Sequence, residues 1–137
     1  MTDRFAAEKR SQIMAKIKGR NTSPERLVQR CLRSLKCRYR SNVKQLPGKP
    51  DILLIGHRKL IFVHGCFWHG HNHCPRSKRP TTNILFWNRK IDSNIKRDKR
   101  LRCSLHRLGW KVLVVWECKT RKPEALRRAI ERFVNES

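Results

Sequence analysis

The chain has 137 residues, which suits one domain with a modest core. It carries 34 Lys and Arg against 10 Asp and Glu, a formal charge of +24 spread along its whole length. A folded domain this basic repels itself and is relieved by a polyanion, so nucleic acid is the expected partner and an acidic membrane surface the weaker competitor.

In chain order, residues about 5–18 read as a helix with Phe5, Ile13, Met14 and Ile17 on its apolar side, part of an N-terminal helical segment over 1–20. Gly19-Arg20-Asn21-Thr22 breaks it, and Ser23-Pro24-Glu25 starts a second helix with Ser as N-cap and Pro at the first helical position. Leu27, Val28, Cys31, Leu32 and Leu35 give that helix its buried stripe. The turn-rich Leu46-Pro47-Gly48-Lys49-Pro50 leads into a strand at 51–55. Gly56-His57-Arg58 reverses the chain into a second strand at 59–63, and the two make a hairpin. A helix over about 83–108 carries Ile84, Trp87, Ile91, Ile95, Leu101, Leu105 and Leu108 on one face. A third strand at 111–116 is almost continuously apolar, which predicts burial on both faces. A helix over 123–135 closes the chain. The expected fold is therefore α/β, one domain over 1–137, with a small mixed central sheet flanked by helices.

No stretch is long and apolar enough to span a bilayer, and the first ten residues lack the apolar core of a signal peptide. The expectation is a cytoplasmic protein with reduced cysteines, so that clustered Cys and His read as metal ligands before disulfides. The segment from Val63 to Cys74 packs four histidines, two cysteines and two large aromatics behind a strand. A structural zinc site needs four Cys or His ligands. Cys66, His71, Cys74 and Cys118 supply them, with His73 as rival to His71. Cys31, Cys37 and Cys103 sit in helical or apolar contexts and read as small core residues.

With so few acids, each one near a strand end is informative. Asp51 opens the first central strand and suits Mg²⁺, a hard cation that wants oxygen on a fixed backbone; a strand-capping turn residue is the plainer alternative. Glu25 fits the first turn of a helix, where the helix dipole favours an acid. Asp98 falls in the middle of the apolar face of the long helix and requires a partner, for which a histidine serves. Glu117 fits a surface position equally well. Phe67 and Trp68 are adjacent, so on an extended segment they would point to opposite faces. Between ligands and basic residues they read as a base-stacking wedge, whereas Trp87 suits core or wedge.

Taken together these residues resemble the very-short-patch repair (Vsr) DNA mismatch endonucleases. The match runs from Lys9-Arg10-Ser11 and Met14 through Asn21-Thr22-Ser23-Pro24-Glu25 and Leu46-Pro47-Gly48-Lys49-Pro50-Asp51. It continues with Phe62-Val63-His64-Gly65-Cys66-Phe67-Trp68-His69-Gly70-His71, Phe86-Trp87, Lys90-Ile91, Asn94 and Arg97-Asp98. It ends at Gly109-Trp110 and Trp116-Glu117-Cys118. The resemblance implies a restriction-endonuclease-like core with structural zinc. It also implies an enzyme that uses Mg²⁺ to cut one strand of duplex DNA beside a T:G mismatch. By the same resemblance Asp51 holds Mg²⁺ with the backbone carbonyl of Val63, His69 is the general base oriented by Asp98, and Glu25 and His64 hold metal-bound waters. Phe67, Trp68 and Trp87 wedge into the base stack, Met14 enters from the other groove, and Lys90 and Asn94 read the mismatched bases. The implied setting is a monomer on the prokaryotic nucleoid, with a mismatch-repair helper protein as a further partner class.

Two departures matter. The spacing from His71 to Cys74 is one residue longer than the family's, which leaves the histidine ligand open between His71 and His73. The lysine of related nuclease cores is missing, so histidine must do the proton work, as an imidazole can near neutral pH. Two other readings stand beside this one: a zinc-stabilised DNA-binding module without catalysis, and a nicking enzyme without a mismatch requirement.

Overall fold

The computed structural model describes residues 23–136. The predicted helix at 5–18, with Met14, lies outside them. Helix α1, Ser23–Ser34, begins at the predicted Ser-Pro-Glu start, with Glu25 in its first turn and Arg33 in its last. Val28 and Leu32 are fully buried, and Leu27, Cys31 and Leu35 pack beside them. The helix stops because Lys36 turns left-handed at φ 58. Its N–H then bonds Arg33 O at 3.0 Å and that of Cys37 bonds Leu32 O at 2.9 Å, which satisfies the last carbonyls.

Four strands follow in the spatial order β1-β2-β3-β4. The expected hairpin forms as β2, Ile52–Leu54, antiparallel to β3, Lys59–His64, with Ile52 opposite Ile61. Strand β1, Tyr39–Ser41, pairs antiparallel with β2. It escapes sequence reading because three residues with two exposed polar side chains carry no periodicity. Strand β4, Lys111–Trp116, runs parallel to β3, from Lys59 opposite Lys111 to His64 opposite Trp116. The prediction of two-faced burial for β4 fails: only Val115 is buried, and its neighbours are half-buried or exposed. Among the described residues β4 is an edge of the sheet, and an edge strand is covered less completely than a central one.

Side-chain alternation sends the two faces of the sheet to different helices. Ile52, Leu54, Ile61 and Val115 join Val28 and Leu32 of α1 and Leu126, Ile130 and Phe133 of the last helix. Leu60 and Phe62 face the other way, with Val112 and Val114, and meet Leu105 of the long helix. That helix, α2, spans Ile84–Arg107, close to the predicted limits. Only part of its apolar face is covered. Trp87, Ile91 and Leu105 are buried, while Ile84, Ile95 and Leu108 are exposed. At 1.5 Å per residue its 24 residues run roughly 36 Å, far beyond a six-residue strand of roughly 20 Å, so its ends overhang the sheet. Cys103, expected in the core, is exposed on the solvent side of α2, whereas Cys31 and Cys37 do pack against the core.

Helix α3, Pro123–Asn135, has Pro at its start and buries Leu126, Ile130 and Phe133. Its C-terminal carbonyls are held by Lys59, the first residue of β3. The buried Lys59 Nζ donates to Phe133 O at 2.7 Å and Val134 O at 3.0 Å, and also to Glu136 O. A cation there meets the negative end of the helix dipole and keeps the hydrogen bonds its burial demands. None of the described helices is long and apolar enough to cross a membrane.

Candidate functional site

Strand β3 delivers the functional residues. Its period of two places Val63 on the α1/α3 face and His64 on the α2 face. The backbone N–H of Val63 donates to Asp51 Oδ2 at 2.6 Å. In an extended strand a residue's N–H and C=O leave on the same side, so the Val63 carbonyl projects toward the Asp51 side of β3. Burial pushes the Asp51 carboxyl up to about 7, against the Val63 hydrogen bond, and the buried Glu25 carboxyl beside it adds to the rise. Glu25 is thus more than a helix-start acid, since α1 carries it to Asp51. The Asp51 carboxylate and the Val63 carbonyl fit a small hard cation, with Glu25 near enough to hold a water on it, and the cation would replace the proton the pair now favours.

The second group sits next along the strand. His64 is buried and stacks on His69, ring centroids 3.9 Å apart and planes 6° apart. Burial, reinforced by His69, drives the His64 imidazole down to about 3, so it is neutral at physiological pH. His69 Nδ1 lies 2.6 Å from Asp98 Oδ2, the predicted histidine partner for the acid on the α2 face. Burial raises the Asp98 carboxyl, but the His69 hydrogen bond and charge, with His64 and Arg97, outweigh it and leave it below the usual carboxylate range. An ionised carboxylate only accepts, so Nδ1 donates the proton of this contact, and in the neutral ring the lone pair belongs to Nε2.

The third group is the cysteine–histidine cluster. Ligand atoms of Cys66, His71, Cys74 and Cys118 all lie within 4.8 Å of one another. Cys118 Sγ is 3.5 Å from His71 Nδ1, and Zn–S and Zn–N bonds in a tetrahedron would set those atoms about 3.6 Å apart. The donor set and spacing therefore fit a structural zinc ion. His73, the rival, stands outside the cluster: it is exposed and left-handed at φ 55. His71 rather than His73 therefore joins the three cysteines, with the left-handed bend at His73 lying between His71 and Cys74. Burial pushes the Cys66 thiol up to about 12. Burial also acts to raise Cys74, but N–H groups of Arg76 and Ser77 and the Cys66 and Cys118 thiols prevail and lower it.

The aromatics are arranged differently from the expectation. Residues 66–70 form a turn rather than an extended segment, closed by His69 N to Gly65 O at 3.1 Å and His71 N to Cys66 O at 3.0 Å. Phe67 and Trp68 therefore do not splay to opposite faces; they meet edge to face at 5.5 Å. Phe67 and Trp87 are each 3% exposed and pack with Ile91, with Trp68 half-buried against them. Asn94 is buried and its Nδ2 donates to Trp68 O at 2.9 Å, so it ties the turn to α2, while Lys90 is exposed. At the head of α2 Leu85 and Phe86 are 75% and 59% exposed beside Trp87. One residue at the site has no role in the sequence reading beyond its place in the matched motif. Trp116 stacks on His71 at 4.1 Å and meets His64 edge-on at 5.3 Å. A signal was present: Trp116 precedes Cys118 by the same two residues that separate His64 from Cys66.

A family model described as DNA mismatch endonuclease Vsr matches residues 2–76, from upstream of α1 through β3 and the cysteine–histidine loop. The chain belongs to this family. The DNA mismatch endonuclease Vsr of Escherichia coli K12 is 41% identical over 126 residues, covering 92% of this chain and 80% of that protein. The type II nicking enzyme V.NmeAIP of Neisseria meningitidis is 43% identical over 136 residues, covering 99% of this chain and 96% of its own. V.XorIIP of Xanthomonas oryzae pv. oryzae, also named a type II nicking enzyme, is 39% identical over 137 residues, covering both chains in full. Membership of the Vsr family makes this protein a DNA endonuclease, a hydrolase, with a divalent metal implied by its class.

Proposed function

We propose that this Vsr-family endonuclease nicks one strand of duplex DNA beside a T:G mismatch in a Mg²⁺-dependent reaction, on a restriction-endonuclease-like core. Asp51 and the Val63 carbonyl hold the cation, with Glu25 and His64 placing waters around it. Bound there, Mg²⁺ would polarise the scissile phosphate and offset its developing charge. His69 Nε2 takes the proton from the attacking water, and Asp98 stabilises the imidazolium that results. Cys66, His71, Cys74 and Cys118 hold zinc, which fixes the loop that carries His69. The half-buried Trp68 leads the wedge into the base stack, backed by Phe67 and Trp87, with Met14 from the opposite groove and Lys90 and Asn94 at the mismatched bases. The charge of +24 supplies sequence-independent grip on the duplex.

One observation carries the catalytic reading: the 2.6 Å contact between His69 Nδ1 and Asp98 Oδ2. A DNA-binding module without catalysis has no use for a histidine oriented by a half-buried carboxylate. The test is a nicking assay on T:G and T:A duplexes of one sequence, with Mg²⁺ and with EDTA. Nicking of the T:G duplex alone, abolished by EDTA, is the expected result. Equal nicking of both duplexes would favour the second reading, a strand-nicking enzyme without a mismatch requirement, which the names of the Neisseria and Xanthomonas relatives support. Nicking undiminished in EDTA would remove the metal.

A further inference from the structure

His64 and Trp116 are register partners at the ends of the parallel strands β3 and β4. Two residues beyond each comes a cysteine of the same cluster, Cys66 after His64 and Cys118 after Trp116, and Cys118 N–H donates to Cys66 Sγ at 3.4 Å. The cysteine cluster therefore clamps the two strand ends from which His64 and Trp116 project. Both side chains point to the α2 face, where Asp98 lies.

The contacts then run without a gap from one group to the other. His71 stacks on Trp116, 4.1 Å between centroids and 12° between planes. Trp116 meets His64 at 5.3 Å and 76°. His64 stacks on His69 at 3.9 Å and 6°, and His69 holds Asp98 at 2.6 Å. No hydrogen bond from His64 to fix its ring is present among the described contacts, so packing sets its plane: His69 on one side, Trp116 at its edge and Phe62 at 5.9 Å.

We infer that Trp116 is a positioning residue for the nicking reaction. Its indole transmits the geometry of the cysteine–histidine cluster to the His64–His69 pair and so keeps the His69 base aligned. The inference rests on the assignment of that cluster as a zinc site and of His69 as the base. Trp116 is given no part as a cation ligand or a DNA contact; it acts through the His64 and His71 rings it touches. The indole covers His71 on one face, and a flat ring of comparable width is what the site requires. A branched aliphatic side chain would leave the cluster its four ligands but remove the surface that fixes His64.

The test uses the full-length protein as wild type, Trp116→Leu and Trp116→Phe. Three quantities are read: zinc per chain, the nicking rate and KM for a mismatched duplex, and the downfield NMR proton of the His69 Nδ1–H to Asp98 hydrogen bond. For Trp116→Leu the nicking rate should fall about 10- to 100-fold, the usual cost of losing an outer partner of a site. KM should stay within about twofold, because DNA binding is not what the ring supports. Zinc should be retained, and the downfield proton should broaden or vanish. Trp116→Phe should recover most of the rate and the proton signal. An unchanged rate in Trp116→Leu overturns the inference. So does a loss of rate in proportion to lost zinc, which makes Trp116 a wall of the metal site and nothing more. Equal loss in both variants overturns it too, since the flat ring would then not be what counts. A wild-type protein without zinc refutes the zinc assignment separately, and the rate and NMR comparison still decides the role of Trp116.

Discussion

The half-buried Asp51 carboxyl lies against that of the buried Glu25, an acid brought from α1 to the start of β2. Burial, against the Val63 hydrogen bond and helped by Glu25, pushes Asp51 up to about 7 in the folded chain from an ordinary 3.8. The folded state thus holds a proton that the unfolded state has released. Its contribution to stability is complete below about pH 4 and is lost as pH rises through about 7, on the order of a few kcal/mol at most. A divalent cation takes the proton's place, so metal affinity should climb with pH up to about 7 and binding should release protons. Thermal denaturation across pH with and without Mg²⁺ checks both halves. The two melting curves should diverge as pH rises, and affinity independent of pH would remove Asp51 from the metal site. Asp51→Asn should abolish nicking, keep measurable DNA binding and remove most of this pH dependence.

His69 and Asp98 form one unit, so their variants should behave alike. His69→Ala should lower the nicking rate by roughly 10²- to 10⁴-fold, the range for a lost general base. Asp98→Asn should cost a similar factor, because an amide can no longer hold the Nδ1–H tautomer and the positive ring together. Zinc content should stay at the wild-type level in both, as neither residue is in the cysteine cluster. Loss of zinc from His69→Ala would make His69 a ligand instead.

Much of this site was legible in the sequence because its elements announce themselves chemically. Asp98 stands out as an acid on an apolar helix face that requires a partner, and a histidine does partner it. The hairpin and the long helix followed from periodicity and turn residues. The choice between His71 and His73 was not legible, because it depends on a left-handed bend at His73 that spacing alone does not encode. Glu25 gains a place beside Asp51 only through the family resemblance, since a helix-start acid looks the same whether or not it reaches a strand. Phe67 meets Trp68 because residues 66–70 turn locally, where an extended segment would splay the two rings apart. The incomplete burial of β4 reflects where it sits in the sheet, and strand order is a long-range property that a single apolar run does not report.

The cysteine cluster clamps β3 to β4, so losing it should loosen the fold as well as the loop. Chelation, or Cys74→Ser, should lower the melting temperature and nicking together. Zinc-dependent stabilisation of small domains is large, apparent binding energies being about 10–16 kcal/mol in zinc-finger peptides. This chain also has a core of its own around Val28, Leu32 and Ile130, so the loss here should be smaller and leave helical signal. Circular dichroism with zinc analysis checks this. Unchanged melting after complete zinc removal would show that the clamp is not structural.

Trp87 and Trp68 should separate core from wedge. Trp87 is 3% exposed and packed with Phe67 and Ile91, so Trp87→Ala should destabilise the protein by about 3–5 kcal/mol, as truncation of a buried aromatic does. Trp68 is only half-buried, so Trp68→Ala should cost less stability and more mismatched-duplex binding. Denaturant unfolding alongside duplex affinity distinguishes them, and the reverse pattern would place Trp87 at the DNA and Trp68 in the core.

Gly70 separates His69, the proposed base, from His71, a proposed zinc ligand, and has φ +59. A Cβ there would stand 2.6 Å from Ile95 Cδ1 and 3.0 Å from Ile91 Cγ2. Ile95 is 38% exposed and its end can swing away, but Ile91 is fully buried and cannot. A side chain at this position is also strained by the left-handed backbone. Gly70→Ala should therefore destabilise by about 1–3 kcal/mol and push the loop off α2. His69 would move with it while Asp98, on the helix, stays, so nicking should fall further than zinc content. Adding Ile95→Ala removes the closest contact and should restore part of the nicking without curing the backbone strain. Wild-type melting and nicking in Gly70→Ala would mean that the loop does not need this close approach to α2 to hold its histidine.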